Sequence, residues 1–238
     1  MSGHSKWANI KHKKAREDQK RGKIFTKLTK EITLVAREGG GDPSGNARLR
    51  LLLEKAREVN MPQDNVTRAI KKGTGELPGV AYEHCTYEGY GPHGIAVIVD
   101  MLTDNKNRIA AEMRRLFSQH GGSLGETGSV SWMFQKLGVV KLASCSWDED
   151  QLLEALIDFD IQDIQKDEQF CSIYTEPKSL DVVRQKIKSL GLKVESAELE
   201  WVPKTPLDLP EDQAQKAYDF LGELDDHDDV DSVATNLV

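Results

Sequence analysis

A chain of 238 residues with 38% hydrophobic and 30% charged side chains reads as globular, with one large domain or two to three small ones and modest cores. The longest purely apolar run near the middle, Ile95–Val99, falls far short of the roughly 20 residues of a spanning helix, and Cys85, Cys145 and Cys171 are too few and too scattered for a disulfide framework. The formal net charge of −7 hides a partition: residues 1–72 carry 18 Lys+Arg and 8 Asp+Glu, a net of +10, leaving 14 and 31, a net of −17, for the rest.

The chain opens on a basic strip, SGHSKWANIKHKK at 2–14, with Lys6, Lys11, Lys13, Lys14, His4, His12 and Trp7 and no acid. No apolar region follows, so the strip reads as part of the mature protein and not as a secretory signal. Lys, where a mitochondrial presequence would have Arg and Ser, points the same way. A reducing, cytosolic compartment is expected. Phe25, Leu28, Ile32 and Val35 then recur at helical spacing, stopped by Gly39-Gly40-Gly41. Asp42-Pro43 and Asn46 are rival candidates to cap the next helix, whose stripe is Leu49, Leu52, Leu53, Ala56 and Val59. Asn60-Met61-Pro62 breaks it, and a third helix runs through Val66, Ala69 and Ile70 to Gly73. Residues 73–79, GTGELPG, read as a linker at which the charge balance changes sign.

Beyond the linker the period changes. Cys85–Tyr90 and Ile95–Leu102 are expected strands around a Gly-Pro-His-Gly turn, Ile109–His120 a helix, and Ser129–Phe134 a short strand. Residues 138–202 then read β-α-β-β-α-β: Val139–Leu142, Asp148–Asp158, Ile161–Lys166, Phe170–Thr175, Ser179–Leu190 and Lys193–Val202. That is the split arrangement of ferredoxin-like domains. A helix over Glu211–Leu224 and a strand near Val230–Val238 are too little for a domain. They are expected to complete the unit begun at residue 80, which makes the ferredoxin-like module an insertion. The expected class is α+β, with domains at 1–75, 80–134 plus 204–238, and 135–203.

Several runs resemble the YebC/PmpR family: GHSKWANIKHKK at 3–14, GKIFTKLTKEI at 22–32, GGGDPSGNARLR at 39–50, NMPQDNVTRAIKKG at 60–73, YEGYGP at 87–92, LTDNKNR at 102–108 and GGSLGETGSVSWMF at 121–134. They span the chain to about residue 140 in the family's order. His93-Gly94 and Ile109 depart from the family's pattern and are given no role. The resemblance implies a helical N-terminal domain and two α/β domains, the second inserted in the first. It also implies two activities: DNA-binding transcriptional regulation in the bacterial cytoplasm, and, in related members, translation factors that help the ribosome through sequences such as proline runs.

The residues bear on both. Within 1–30 there are ten Lys+Arg and two acids, a composition that neutralises phosphates and releases counterions with little regard for sequence. The candidate nucleic-acid contacts are Lys6, Trp7, Lys11, His12, Lys13, Lys14, Arg16, Lys20, Arg21, Lys23 and Lys27, extended by Arg48, Arg50, Lys71 and Lys72. Lys55 and Arg57 lie on the same helices. Trp7 either stacks on an unpaired base, a contact worth roughly 1–3 kcal/mol, or pins the arm to the helices. Lys is a point charge and suits phosphates better than guanine edges. Residues 47–72 have helix-turn-helix lengths with Gln63, Asn65 and Arg68 exposed, but a plain three-helix bundle is the better expectation.

Asp104, Asn105, Lys106, Asn107 and Arg108 are either a second RNA or protein contact or, for one of the residues at 103–105, a helix cap. Gly125–Gly128 lacks the Lys-Ser/Thr of a phosphate loop and reads as a turn. No catalytic or metal-binding motif is present, so neither an enzyme nor a cofactor is expected. The run Asp225-Asp226-His227-Asp228-Asp229 is a solvated loop, a weak divalent-cation site, or a mimic of nucleic acid that competes for the basic region. The expected partner is nucleic acid, DNA or ribosomal RNA, with no membrane.

Overall fold

The periodicities of the first 73 residues become three packed helices in the computed structural model, which describes residues 21–143, 147–166 and 170–238. Helix α1 (Arg21–Gly39), α2 (Ala47–Glu58) and α3 (Gln63–Gly73) bury Leu28, Ile32, Val35, Leu49, Leu52, Ala56, Val66 and Ala69 together. These are the stripe positions read from sequence. Of the two rival caps, Asn46 serves: its Oδ1 accepts from the Leu49 amide at 3.0 Å, while its Nδ2 donates to the carbonyls of Val35 and Gly40. One buried side chain thus starts α2 and ties it to the end of α1. Helix α2 ends with Asn60 at φ 57°, its amide donating to Arg57 and that of Met61 to Ala56. This is a Schellman closure with Asn in the left-handed position usually held by Gly.

The remaining described elements form two antiparallel sheets. Strands β1 (Glu83–Tyr90) and β2 (Ala96–Thr103) pair in full register, followed by α4 (Lys106–Gln119) and the two-residue strand β3 (Ser123–Leu124). The chain returns to this sheet with α7 (Glu211–Asp225) and β8 (Val230–Thr235), giving the order β3-β1-β2-β8. Every residue of β2 is buried. Its Val97, Val99 and Met101 pack with Met113 and Phe117 of α4 and Phe220 and Leu221 of α7.

Between these pieces lie β4 (Phe134–Ala143), α5 (Glu149–Ala155), β5 (Ile161–Lys166), β6 (Phe170–Thr175), α6 (Leu180–Ser189) and β7 (Val194–Pro203). Their order β5-β6-β4-β7 is that of a ferredoxin-like sheet, and residues 133–206 form a compact unit of their own. The helices and the first sheet belong to the other unit. The chain is therefore α+β, as expected, with the ferredoxin-like module inserted between β3 and α7.

One expected element differs. Residues 129–133 are not a strand: Ser131–Met133 is a 3-10 turn, and β4 begins at Phe134. The reason is Glu88 in β1. Its carboxylate accepts from the amides of Gly128, Val130 and Ser131, within 2.9 Å of each, which curls the segment around one anion and withdraws those donors from any ladder. Burial opposes the charge on Glu88, and the three amides outweigh it, holding the carboxyl below its usual range.

At Gly73, α3 runs close against the backbone of α1. A Cβ there would lie 2.4 Å from the Thr33 carbonyl oxygen and 2.8 Å from the Ala36 Cβ. A Gly→Ala change in a helix ordinarily gains up to about 1 kcal/mol; here the backbone clash decides the sign. Gly73→Ala is expected to destabilise by roughly 1–3 kcal/mol, read as a lowered Tm with the helical content retained.

Candidate nucleic-acid interface

Along α1, Lys23, Lys27 and Lys30 recur at spacings of four and three, which sets them on one helix face. That face meets the C-terminal end of α7 and the acidic run behind it. Lys23 Nζ donates to the Asp226 carbonyl at 2.8 Å, Lys27 to that of Asp225 at 3.2 Å, and Lys30 to that of Asp228 at 2.9 Å. A helix C-terminus carries unpaired carbonyls and partial negative charge, so lysines satisfy it on both counts. The acidic run thus engages the basic helix largely through its backbone.

Two carboxylates also enter the contact: Asp226 Oδ1 lies 4.0 Å from Lys23 Nζ at the surface, and Asp229 is buried. Asp229 is 7% exposed. Its Oδ1 is 2.5 Å from Lys30 Nζ, and its Oδ2 accepts from Arg108 at 2.7 Å and from Thr103 Oγ1 at 3.3 Å. Burial would raise its pKa; the hydrogen bonds and charges of Lys30 and Arg108 prevail and hold it below the ordinary carboxylate range. The Asp229 amide donates to His227 Nδ1, which puts the imidazole proton on Nε2, 3.0 Å from Glu112 Oε2. Arg108 also reaches Asp104 and Glu112. The reading of the acidic run as a solvated loop therefore fails at Asp229, because two cations and a hydroxyl compensate its burial.

The expected contact residues fall into groups. Lys6, Trp7, Lys11, His12, Lys13, Lys14, Arg16 and Lys20 lie outside the described residues, and of Arg21 only its place at the start of α1 is described. Lys23 and Lys27 are held by the acidic run. Arg48 lies 3.7 Å from Glu38 on the surface, and Arg50 donates to the Pro43 carbonyl. Lys71 and Lys72 are exposed at the end of α3. In the second cluster, Asn105 is the cap of α4, accepting from the Arg108 amide; Lys106 pairs with Glu83 at 2.6 Å; and Asn107 is exposed. Asp104 and Arg108 belong to the Asp229 network.

Sequence reading did not bring together a groove of about 300 Å³ between α1 and α3. It is lined by Phe25, Thr29, Asn65, Arg68, Lys72 and Tyr82, together with Thr26, Lys30 and Ala69. Arg68 and Lys72 stand one turn apart on α3, and the Lys30 ammonium lies 5.8 Å from the centre of the Tyr82 ring. The threonine hydroxyls donate to carbonyls of their own helix, Thr26 to Gly22 and Thr29 to Phe25. A hydroxyl that donates in this way keeps its oxygen as an acceptor. The one signal in the sequence was an aromatic residue, Tyr82, three positions beyond the Gly/Pro linker. Among the described residues, no group of three or more His, Cys, Asp and Glu could hold a metal ion, and no helix is long and apolar enough to cross a membrane.

Asp229→Asn keeps the shape and leaves Lys30 buried without its anion, at an expected cost of about 3 kcal/mol. Because the folded pKa of Asp229 is depressed, its contribution is complete above the unfolded value of about 3.9 and is lost as pH falls through the lower folded value. The gap between the urea midpoints of the variant and the native chain is expected to hold from pH 7 to about pH 4 and to narrow as the pH is taken lower.

Comparison with known proteins gives consistent matches over both units. Residues 5–76 match the TACO1/YebC protein N-terminal domain, and residues 82–237 the TACO1/YebC second and third domain. A probable transcriptional regulatory protein of Chlorobaculum tepidum is 49% identical over 238 residues, covering 100% of this chain and 95% of the relative. One of Dictyoglomus turgidum is 50% identical over 240 residues, covering 100% and 96%. The crystal structure of a conserved hypothetical protein from Aquifex aeolicus superposes with a TM-score of 0.86 at 41% identity, covering 94% of this chain and 93% of that one. With both family regions matched in order and near-half identity over its whole length, the chain belongs to the TACO1/YebC family.

Proposed function

We propose that the protein is a nucleic-acid-binding, non-enzymatic regulator of gene expression, with the helical region as its binding surface. The observation that carries this reading is the charge partition: a net of +10 over residues 1–72 in a chain whose remainder is −17. Exposed Arg48, Arg57, Arg68, Lys71 and Lys72 extend that charge over α2 and α3. A surface of this kind draws its affinity from phosphates. The relatives' names as probable transcriptional regulatory proteins support a regulatory role.

A second reading, a translation factor bound to ribosomal RNA, is favoured by α3. Asn65 and Arg68 line a groove against α1 instead of forming a free recognition face, an arrangement suited to unpaired or irregular RNA more than to the major groove of a duplex. The three lysines of α1 engaged by the acidic run also reduce the cation face open to a regular duplex.

The full-length protein is expected to bind nucleic acid at low salt, with log affinity falling linearly against log salt concentration. Reversing Lys71 and Lys72 to Glu should weaken binding at least tenfold. Competition between promoter duplex and ribosomal RNA, with co-sedimentation in a lysate gradient, separates the two readings. Retention of a specific duplex and absence from ribosomal fractions supports the first, and the converse supports the second. No binding to either polymer at low salt refutes both.

A further inference from the structure

The groove between α1 and α3 has a composition that a general phosphate-binding face does not need. Two cations of one α3 face, Arg68 and Lys72, stand beside two aromatic rings, Phe25 and Tyr82, with the half-buried Asn65 amide between the helices. Among the described residues neither Arg68 nor Lys72 has an ion-pair partner. Lys30 also lines the groove, but its charge is committed to Asp229, so it contributes its hydrocarbon stem and fixes the Tyr82 ring by its ammonium.

We infer that this groove is a subsite for one unpaired nucleotide of a single strand, its base packed against Tyr82 and Phe25 and its phosphate held by Arg68 and Lys72. The inference rests on the nucleic-acid reading above and deepens it by naming the form of the ligand. At about 300 Å³ the space sits at the small end of ligand pockets and matches one nucleotide better than a base pair. Aromatic rings accept any base face, while a fixed guanidinium and a mobile ammonium suit a phosphate diester. Asn65 offers both a donor and an acceptor to a base edge, and the Thr26 and Thr29 oxygens, whose protons are turned to their own helix, offer acceptors.

The test uses the full-length protein, a fluorescent 12-nucleotide single strand of mixed sequence made as RNA and as DNA, and a blunt duplex of the same sequence. Tyr82→Leu is expected to weaken single-strand binding by roughly tenfold or more, the loss of one base stack, and to leave duplex binding within about twofold. Tyr82→Phe is expected to retain both. Arg68→Ala with Lys72→Ala should weaken single-strand binding and flatten its salt dependence by up to about two phosphate contacts. In parallel, single strands carrying 4-thiouridine or 4-thiothymidine are irradiated on the native protein, with crosslinks expected at Tyr82 or Phe25. This readout stands even where Tyr82→Leu fails to fold. Equal loss on strand and duplex, or crosslinks confined to other regions while binding persists, overturns the subsite and leaves the general reading intact. Failure of the native protein to bind any of the polymers overturns the general reading itself.

Discussion

The helical region and the first sheet are joined by one buried carboxylate. Asp229 sits where the end of α7, the end of β2 and the middle of α1 converge, and it is tolerable there only because Lys30, Arg108 and Thr103 all point at it. Unpaired, a buried carboxylate would cost several kcal/mol or take up a proton. Paired, it fixes the register of three elements at once. The Asn105 cap sets the first turn of α4 and thereby the position of Arg108, and His227 orients the Asp229 backbone. The groove depends on the same arrangement, since Lys30 is held by Asp229 on one side and approaches Tyr82 on the other.

The contact also divides the cations of the helical region into two populations. Those on the α1 stripe satisfy carbonyls and a carboxylate of the acidic body, while those of α3 stand toward the groove and solvent. A net count of charge does not distinguish them. The lysines were sound candidates by composition, yet an acidic protein with a basic helix has anions of its own, and the nearest available negative potential is a helix terminus within the same molecule.

What was legible in the sequence follows from the range of the cause. The stripe of Leu28, Ile32 and Val35, the break at Asn60–Pro62 and the alternation of the ferredoxin-like strands are local patterns, and each appears in the structure. Asn46 was readable as one of two caps, but only its reach back to Val35 and Gly40 shows why it prevails over Asp42. Strand β3 is two residues long and leaves no periodic trace. The curl at 128–131 is dictated by Glu88, forty residues earlier. Asp229 could not be told from its four neighbours, because burial comes from partners in three distant segments. The groove depends on the relative rotation of α1 and α3, which no single helix pattern encodes.

The pairing of Lys30 with Asp229 spans 199 residues. Synthesis runs from the N-terminus at roughly 5–20 residues per second, so the basic helix emerges about 10–40 s before its anion. Throughout that interval the three lysines of the stripe lack the carbonyls and the carboxylate that hold them in the folded chain. The contact between α1 and the acidic run therefore closes late, once α7 and the residues behind it have folded onto the first sheet.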